Sequence, residues 1–488
     1  MIQEKSLKKN AFFNVINTLM KLLFPLITFP YASRILLPNG IGKVNFANSV
    51  ISYFALIASL GIGTYGIRES AKIRNNKEEF SQFFIEIFTI NIISTIISYL
   101  LLFLALHFIP KFAVYKSLII ICSTSIFFTT IGVDWILSSL EEYGFITIRS
   151  VFFQFISLIL LFIFIKTKDD YVKYAFISVF SSVGSNICNL LHIKKFLSFK
   201  QIKKLNLKKH LKPIFILFGS SIAISIFTML DTVMLGFLSN DSEVGYYSAA
   251  TKIIRMIRDL FPAVFTVLYA RMSIIADNKA IDRLKSLTEK TLSFIMCLSF
   301  PIISGLFVLA EQIILIISGE YYLPAINAMY SMIPLIFLSS TSGFLGGTVL
   351  NSLGKEKQYL YCVITGAISD FILNLILIPK YGSFGAGIAT LFTEFILFIL
   401  YIALNHKLIF TKKLFTSFFK YIFATIIMTF TCILIMNLFY TPITKLVFTT
   451  VTGVIIYFVM LILLKDDLLK SIITSIKDKF ILKHSMKS

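Results

Sequence analysis

Charged residues are scarce in this 488-residue sequence: they make up 15% of the chain, whereas soluble domains carry about a quarter. Carboxylates are the scarcer sign, since 25 Asp and Glu stand against 46 Lys and Arg. Hydrophobic residues reach 57%, and apolar runs of about 20 residues, long enough to cross a bilayer, recur along the chain. The composition excludes a soluble globular protein and predicts a polytopic membrane protein.

Signatures of nucleotide and hydrolytic chemistry are also absent. The sequence holds no G-x-x-x-x-G-K-[ST] phosphate loop, no H-E-x-x-H zinc motif and no G-x-S-x-G nucleophile elbow. The five cysteines lie singly in apolar runs, without the spacing of a metal site or a disulfide pair. We therefore expect a protein that is not an enzyme, with no catalytic residues, no metal and no cofactor.

The apolar runs predict an all-α fold with about 14 transmembrane helices. Each run is continuously apolar rather than alternating, which favours helices over a β-barrel. The predicted spans are centred near residues 22, 53, 95, 126, 154, 182, 225, 258, 303, 337, 369, 395, 428 and 455. No segment between two spans is long enough to form a soluble domain.

The net charge of +21 is divided unequally between the two predicted sides of the membrane. With the N-terminus inside, the predicted cytoplasmic segments hold 32 Lys and Arg and the outside loops hold 9. The richest segment is residues 194–212, KKFLSFKQIKKLNLKKHLK, with eight lysines. This alternation follows the positive-inside rule, which places both termini in the cytoplasm and favours lipid contact over nucleic-acid binding.

The lysine-rich segment divides the chain into two six-helix, pseudo-symmetric halves. The predicted parts are an N-terminal half (1–193), a basic cytoplasmic linker (194–212), a C-terminal half (213–405), and an appended C-terminal helix pair with a basic cytoplasmic tail (406–488). At an offset of 203 residues the identical positions are Gly42/Gly245, Ala47/Ala250, Ile51/Ile254, Arg68/Arg271 and Ser70/Ser273. An even number of spans per half predicts parallel repeats, and transporters built this way bind substrate near the midplane between the halves.

The eighth predicted span carries a stripe of cations where each is costly to bury. On one helix of residues 248–269, Lys252, Arg255, Arg258 and Asp259 share a face with Pro262. Intramembrane charges normally face a water-filled cavity, so the stripe predicts a cavity for an anion. The alternative is an interfacial position or a structural ion pair.

Spans one and two add polar faces that we expect to line the same cavity. The candidate substrate-binding residues are Lys21, Lys252, Arg255, Arg258, Asn14, Asn17, Asn45, Asn48 and Ser52. Pro25 and Pro30 are expected to break the first helix. A single Asn or Ser in a membrane helix usually bonds to a backbone carbonyl or a neighbouring helix, so the prediction depends on the stripes rather than on any one residue.

Three intramembrane carboxylates are candidates for ion coupling: Asp259, Asp370 and Glu394. Asp370 with Asn374, and Thr390 with Glu394, are pairs four residues apart that can hold a proton or a cation. The alternative for both pairs is a contact between helices.

Three stretches resemble a known family: residues 24–74, which begin FPLITFPYASRILLPNGIGKVNFANS; residues 132–150, GVDWILSSLEEYGFITIRS; and residues 350–394, which include ISDFILNLILIPKYGSFGAG. They are similar to the O-antigen/polysaccharide flippases (Wzx type) of the multidrug/oligosaccharidyl-lipid/polysaccharide exporter superfamily. The resemblance implies two six-helix halves and transport of an undecaprenyl-pyrophosphate-linked oligosaccharide from the cytoplasmic to the periplasmic leaflet of the bacterial inner membrane. It also implies alternating access, and it suggests a polysaccharide polymerase and a chain-length regulator as partners.

Two other functions fit the same fold. A lipid II flippase would bind a similar anionic head group, and the 132–150 stretch favours the polysaccharide branch over it. A small-molecule or multidrug exporter would favour carboxylates in the cavity, where this sequence has mostly cations. A membrane glycosyltransferase or polymerase would need large outside loops, which this sequence lacks.

Overall fold

The protein is described from a computed structural model that covers residues 7–198, 204–278, 280–409, 411–470 and Thr474. In this part of the chain the α-helices are α1 Leu7–Ser59, α2 Ile62–Ile73, α3 Lys77–Phe108, α4 Pro110–Val114, α5 Lys116–Gly132, α6 Asp134–Ser139, α7 Tyr143–Phe164, α8 Tyr171–Val183, α9 Ile187–Ile193, α10 Lys208–Leu238, α11 Asp241–Arg258, α12 Phe261–Asp277, α13 Ile281–Ile317, α14 Ala325–Met332, α15 Leu335–Ser342, α16 Glu356–Leu404, α17 His406–Ile409, α18 Lys412–Met436 and α19 Pro442–Leu463. A π-helical turn, Gly343–Leu350, follows α15.

The predicted all-α membrane fold is confirmed. Among the described residues, nine helices are long and apolar enough to cross a membrane. A tenth candidate is the bent pair Ala325–Met332 and Leu335–Leu350, with an angle of 41° between its parts. The count of 14 spans stays a prediction.

Two of the long helices contain a sharp change of direction. In α1 the break is at Leu37, with φ 59° and ψ 172°. The residue before a proline is pushed out of the helical conformation, and Pro38 follows directly. In α16 the break is at Gly382, with φ 54° and ψ −130°, a conformation that L side chains rarely adopt. Each break separates two predicted spans. The expected break at Pro25 and Pro30 is wrong, because the helix continues through both prolines.

The chain forms two compact units, Met1–Ser248 and Ala249–Ser488. In the first unit, apolar residues of α2, α3 and α6 pack around Trp135, Phe83 and Ile87. In the second unit, α18 and α19 pack on α13 through Tyr421 and Tyr457, and the Tyr457 hydroxyl donates to the carbonyl of Cys297 at 2.8 Å. The predicted division at 194–212 stays a prediction.

Within the first unit, the repeat-related glycines approach each other's chain reciprocally. A Cβ on Gly42 would overlap the carbonyl of Asp241, and a Cβ on Gly245 would overlap the carbonyl of Pro38. Pro38 and Asp241 are themselves 203 residues apart, which is the offset of the sequence repeat. The two contacts are therefore equivalent under the repeat, which supports the pseudo-symmetry of the two halves.

This contact predicts that alanine is not tolerated at either glycine. Gly42→Ala or Gly245→Ala should lower the free energy of unfolding by about 1–3 kcal/mol, because backbone must move to admit the methyl group. Gly63→Ala is the matched control, since its added Cβ would lie more than 4 Å from every other described part of the structure outside its own turn of helix. Thermal unfolding of the purified protein in detergent measures the difference; equal stability of all three variants would contradict the close approach.

Candidate functional site

The three cations of the predicted stripe lie on α11. Lys252, Arg255 and Arg258 follow one another at intervals of three residues, so they lie on one face over about 9 Å of helix. Arg255 is exposed, whereas Lys252 and Arg258 are half-buried. α11 thus presents three positive charges along one line within a long apolar segment of the chain.

The sequence predicted that the stripe continues on one helix to residue 269. Asp241–Asp277 is one candidate membrane span, but its helical hydrogen bonding is interrupted: α11 ends at Arg258 and α12 begins at Phe261. Pro262 lacks an N–H group and its ring clashes with a continuing helical backbone, which explains the break. Asp259 lies in the turn, with its Oδ1 3.9 Å from Nε of Arg258 and its side chain half-exposed. Arg258 therefore stands at the end of α11, next to a carboxylate in the turn.

The polar face of the first span lies on α1. Asn14 is exposed, whereas Asn17 is buried and its Oδ1 has no hydrogen-bond partner among the described residues. Lys21 lies on the same helix, and its side chain is outside the described part of the structure. A buried amide oxygen without a partner is costly, so Asn17 fits a position that a hydroxyl-bearing ligand or water completes.

The polar face of the second span lies on α1 beyond the Leu37 break. Asn45, Asn48 and Ser52 are all half-buried. The Ser52 hydroxyl donates to the Asn48 carbonyl at 2.8 Å, which is the ordinary role of a serine in a membrane helix. The asparagines are the better candidates for substrate contact on this segment.

The candidate coupling carboxylates differ in their surroundings. Asp370 is fully buried and accepts hydrogen bonds from Nδ2 of Asn374 at 3.1 Å and from Oγ1 of Thr393 at 3.4 Å. Glu394 is also buried, but its Oε2 has no hydrogen-bond partner in the described part of the chain. Asp370 is therefore held by a structural network, and Glu394 is left with an unsatisfied oxygen.

The site residues lie in both units. The asparagines and Ser52 belong to the first unit, and the three cations of α11 belong to the second. Their convergence on one cavity stays a prediction.

A cavity of about 300 Å³ lies among α13, α18 and α19 in the second unit. Its lining is almost entirely apolar and includes Pro301, Met428, Gly453 and Tyr457. The appended helix pair thus adds an apolar surface to the second unit.

Sequence reasoning missed a buried polar network beside the basic linker. Glu86 is 1% exposed and accepts hydrogen bonds from Lys209 Nζ and His210 Nε2, both at 2.8 Å. Nδ1 of His210 is 2.8 Å from the hydroxyl of Tyr65. His210 lies 124 residues from Glu86, so the pairing has no local sequence signal. It ties the start of α10 to α2 and α3.

A second network explains the charged residues of the 132–150 stretch. Arg149 is buried, pairs with the half-exposed Asp134, and donates to Ser185 at 2.8 Å and Asn186 at 2.9 Å. Asn189 donates to the same Asp134 oxygen at 2.7 Å. These contacts join α6, α7 and α9, so this stretch holds the first unit together.

The unequal burial of this ion pair predicts unequal costs. Asp134→Ala leaves a buried guanidinium without its counter-charge and should lower the free energy of unfolding by about 3 kcal/mol. Arg149→Met leaves only a half-exposed carboxylate, which water solvates, so its cost should be smaller. The double variant should resemble Arg149→Met alone, because the two changes are not additive for residues in contact. Unfolding in detergent tests this; additive and equal losses would contradict the assignment.

Solved structures of membrane transporters have the same arrangement of long helices as this chain. By fold, the chain is similar to the structure described as "Lipid II flippase MurJ, inward closed conformation", with a TM-score of 0.74, 17% identity, and coverage of 94% of this chain and 100% of that one. It is also similar to an inward-facing multidrug resistance MATE family transporter, with a TM-score of 0.62, 13% identity, and coverage of 82% and 97%. The fold is therefore that of the MurJ and MATE membrane transporters.

Comparison of sequences shows the family to which this chain belongs. Residues 7–276 match the family described as "Polysaccharide biosynthesis protein", and the chain belongs to this family. A protein of Escherichia coli (strain K12) named "Putative O-antigen transporter" is 25% identical over 398 residues, which cover 80% of this chain and 94% of that protein. These findings confirm the family resemblance found in the sequence. The names of the relatives describe transport rather than catalysis, which agrees with the expectation that the chain is not an enzyme.

Proposed function

We propose that this protein is a flippase that moves an undecaprenyl-pyrophosphate-linked oligosaccharide from the cytoplasmic to the periplasmic leaflet of the bacterial inner membrane by alternating access. The observation that carries the proposal is the line of Lys252, Arg255 and Arg258 on a membrane helix in a member of the polysaccharide biosynthesis protein family. The repeat unit of an O-antigen or another surface polysaccharide is the substrate.

The chemistry of the three cations suits a pyrophosphate. A charge at the centre of a membrane costs about 2.5–3.5 kcal/mol by insertion scales, so three cations on one face are typical of a functional site rather than of a lipid-facing surface. A guanidinium binds phosphate oxygens through two parallel hydrogen bonds, and a lysine ammonium acts as a point charge. Lys252, Arg255 and Arg258 together supply both kinds of contact.

The other parts of the substrate have separate requirements. The sugars need a hydrated polar surface, for which the amides of Asn14, Asn17, Asn45 and Asn48 provide donors and acceptors. The polyprenyl chain needs only apolar contact, which lipid and the cavity among α13, α18 and α19 both offer. Asp259, Asp370 and Glu394 are the carboxylates that we propose for coupling substrate transport to the movement of an ion. The proposed partners, a polysaccharide polymerase and a chain-length regulator, act on the transported repeat unit.

The decisive test is the distribution of lipid-linked oligosaccharide between leaflets in a strain that lacks the gene. Completed repeat units should accumulate in the cytoplasmic leaflet, and surface polysaccharide should be lost. Accumulation of peptidoglycan precursors instead would indicate a lipid II flippase. Normal surface polysaccharide with altered drug tolerance would indicate a small-molecule exporter.

The cations of α11 can be tested by complementation of that strain. Lys252→Ala and Arg255→Ala should each reduce export about tenfold or more, because a hydrogen bond to a charged group contributes about 1.5–3 kcal/mol. Arg255→Lys should recover part of the export, since the charge remains while the bidentate geometry is lost. Arg283→Ala, which removes an exposed cation at the start of α13, is the control. Full export by Lys252→Ala and Arg255→Ala at wild-type expression would contradict their role.

The proposed topology gives a further prediction. A fluorescent protein fused after Ser488 should be bright, because the C-terminus is predicted to be cytoplasmic. Alkaline phosphatase at the same position should be inactive, whereas phosphatase inserted after Asp169, in the predicted outside loop between α7 and α8, should be active. The reverse pattern would overturn the assignment of both termini to the cytoplasm.

A further inference from the structure

A polar stripe runs along α7 in the first unit. Its members recur at intervals of three and four residues on an otherwise apolar membrane helix: Thr147, Ser150, Gln154 and Ser157. At about 100° per residue they fall within about 80° of the helix circumference, over about 15 Å of its length. The stripe is therefore one face of α7 rather than a scatter of single polar side chains.

This face of α7 contacts α1 through two hydrogen bonds. The hydroxyl of Thr147 donates to the carbonyl of Phe13 at 2.9 Å, and the hydroxyl of Tyr31 donates to the carbonyl of Ile165 at 3.0 Å. The partners in each bond are 134 residues apart, so α1 and α7 keep one register from the first bond to the second. The two helices therefore lie side by side and run in the same direction.

Two buried amides lie on the faces that the two helices present to each other. At the register set by those bonds, Gln154 is level with Met20, about one turn beyond Asn17. Asn17 is within about 40° of Phe13 around α1, and Gln154 is within about 20° of Thr147 around α7. Asn17 and Gln154 therefore belong to the same stretch of the α1–α7 interface.

The carbonyl oxygens of both amides lack hydrogen bonds. Asn17 and Gln154 are each 8% exposed, and neither Asn17 Oδ1 nor Gln154 Oε1 has a hydrogen-bond partner among the described residues. A lone hydroxyl in a membrane helix bonds to its own backbone, as Ser157 does with the carbonyl of Phe153 at 2.8 Å. A buried acceptor left unpaired is costly, so these two oxygens need donors that the described helices do not supply.

The buried pair adjoins an exposed polar surface. Asn14 and Thr18 are exposed on α1, and Asn14 is about 60° from Asn17 around the helix. The unpaired atoms of Asn17 and Gln154 are acceptors, so they suit the O–H groups of a sugar and not the oxygens of a pyrophosphate. A glycan that contacts Asn14 can therefore extend a hydroxyl to the amide oxygens one turn away.

We propose that Gln154, together with Asn17, binds the glycan of the substrate by accepting hydrogen bonds from sugar hydroxyls. The α1–α7 interface is then a glycan-binding subsite, distinct from the cations of α11 that bind the pyrophosphate. This inference rests on the proposed function and adds Gln154, which the sequence analysis did not single out, to its substrate-binding residues.

Two ligands separate glycan binding from pyrophosphate binding. The first is the undecaprenyl-pyrophosphate-linked repeat unit, extracted from membranes of the strain that lacks the gene, and the second is undecaprenyl pyrophosphate without sugar. Affinities are measured with the purified protein in nanodiscs. Gln154→Leu should weaken binding of the first ligand about threefold to tenfold, the effect of one lost hydrogen bond, and should leave binding of the second unchanged.

The stability of the unliganded protein distinguishes a ligand contact from a structural one. Leucine is close to glutamine in size and has no unpaired acceptor, so Gln154→Leu should unfold in detergent at or above the wild-type temperature. Gln312→Leu is the matched control: Gln312 lies on α13 in the second unit, is 5% exposed, and its Oε1 also has no hydrogen-bond partner in the described part of the chain. This control should keep its stability in the same way and bind both ligands as the wild type does.

The remaining outcomes decide against the inference. Equal weakening of both ligands by Gln154→Leu, or a lower unfolding temperature, would assign Gln154 a structural role. Equal affinity of the wild-type protein for the two ligands would show that the subsite is wrong while the proposed function stands. Binding of neither ligand by the wild-type protein would contradict the proposed function itself. Should Gln154→Leu not fold, Gln154→Met takes its place, and failure of both variants to fold would overturn the inference.

Discussion

The structure depends on one constraint: inside a membrane, every polar group must find its partner within the protein. Many hydroxyl groups of the described helices meet this condition within their own helix, as Ser52 does by donating to the carbonyl of Asn48, and other polar groups meet it through a neighbouring helix. Asn91 and Ser94 of α3 donate to the carbonyl of Ala58 at the end of α1, at 2.9 Å and 2.5 Å. Thr95 and Thr130 bond to each other at 2.7 Å. Such contacts fix which helices are neighbours. The buried side-chain atoms that have no hydrogen-bond partner among the described residues include the Oδ1 of Asn17 and the Oε2 of Glu394, and both residues are site candidates from the sequence.

The repeat is the second constraint, and it gains its physical meaning from the backbone. Five identities at one offset are weak support in a sequence of biased composition. In the structure, Gly42 lies against the carbonyl of Asp241, and Gly245 lies against the carbonyl of Pro38. Pro38 and Asp241 are equivalent positions of the repeat, as the two glycines are. Only glycine permits so close an approach of two backbones. A side chain here would separate the second span of one half from the corresponding span of the other, which explains why both positions are glycine.

Hydrophobic runs made the helices predictable, because a membrane admits few other structures. The positions of the helix breaks were harder to predict from the sequence. Pro25 and Pro30 were expected to interrupt α1, yet the break is at Leu37, where Pro38 constrains the preceding residue. Long-range polar pairs were beyond reach: nothing local indicates that His210 bonds to Glu86 or that Arg149 bonds to Asn186. The serine and threonine run that ends at Ser342, followed by Gly343, Gly346 and Gly347, was a usable signal for the π-helical turn, because small residues weaken regular helix hydrogen bonding.

The end of α11 at Arg258 gives the three cations of the stripe different surroundings. Had the helix continued to residue 269, the three cations would be similar side chains on one face. Because it ends at Arg258, that residue lies next to the turn that holds Asp259, whose Oδ1 is 3.9 Å from its Nε. Arg255 and Lys252 lie about one and two turns further back on the same face. Pro262 therefore places one of the three cations beside a carboxylate at the end of the helix, while all three remain candidates for binding the anion of the substrate.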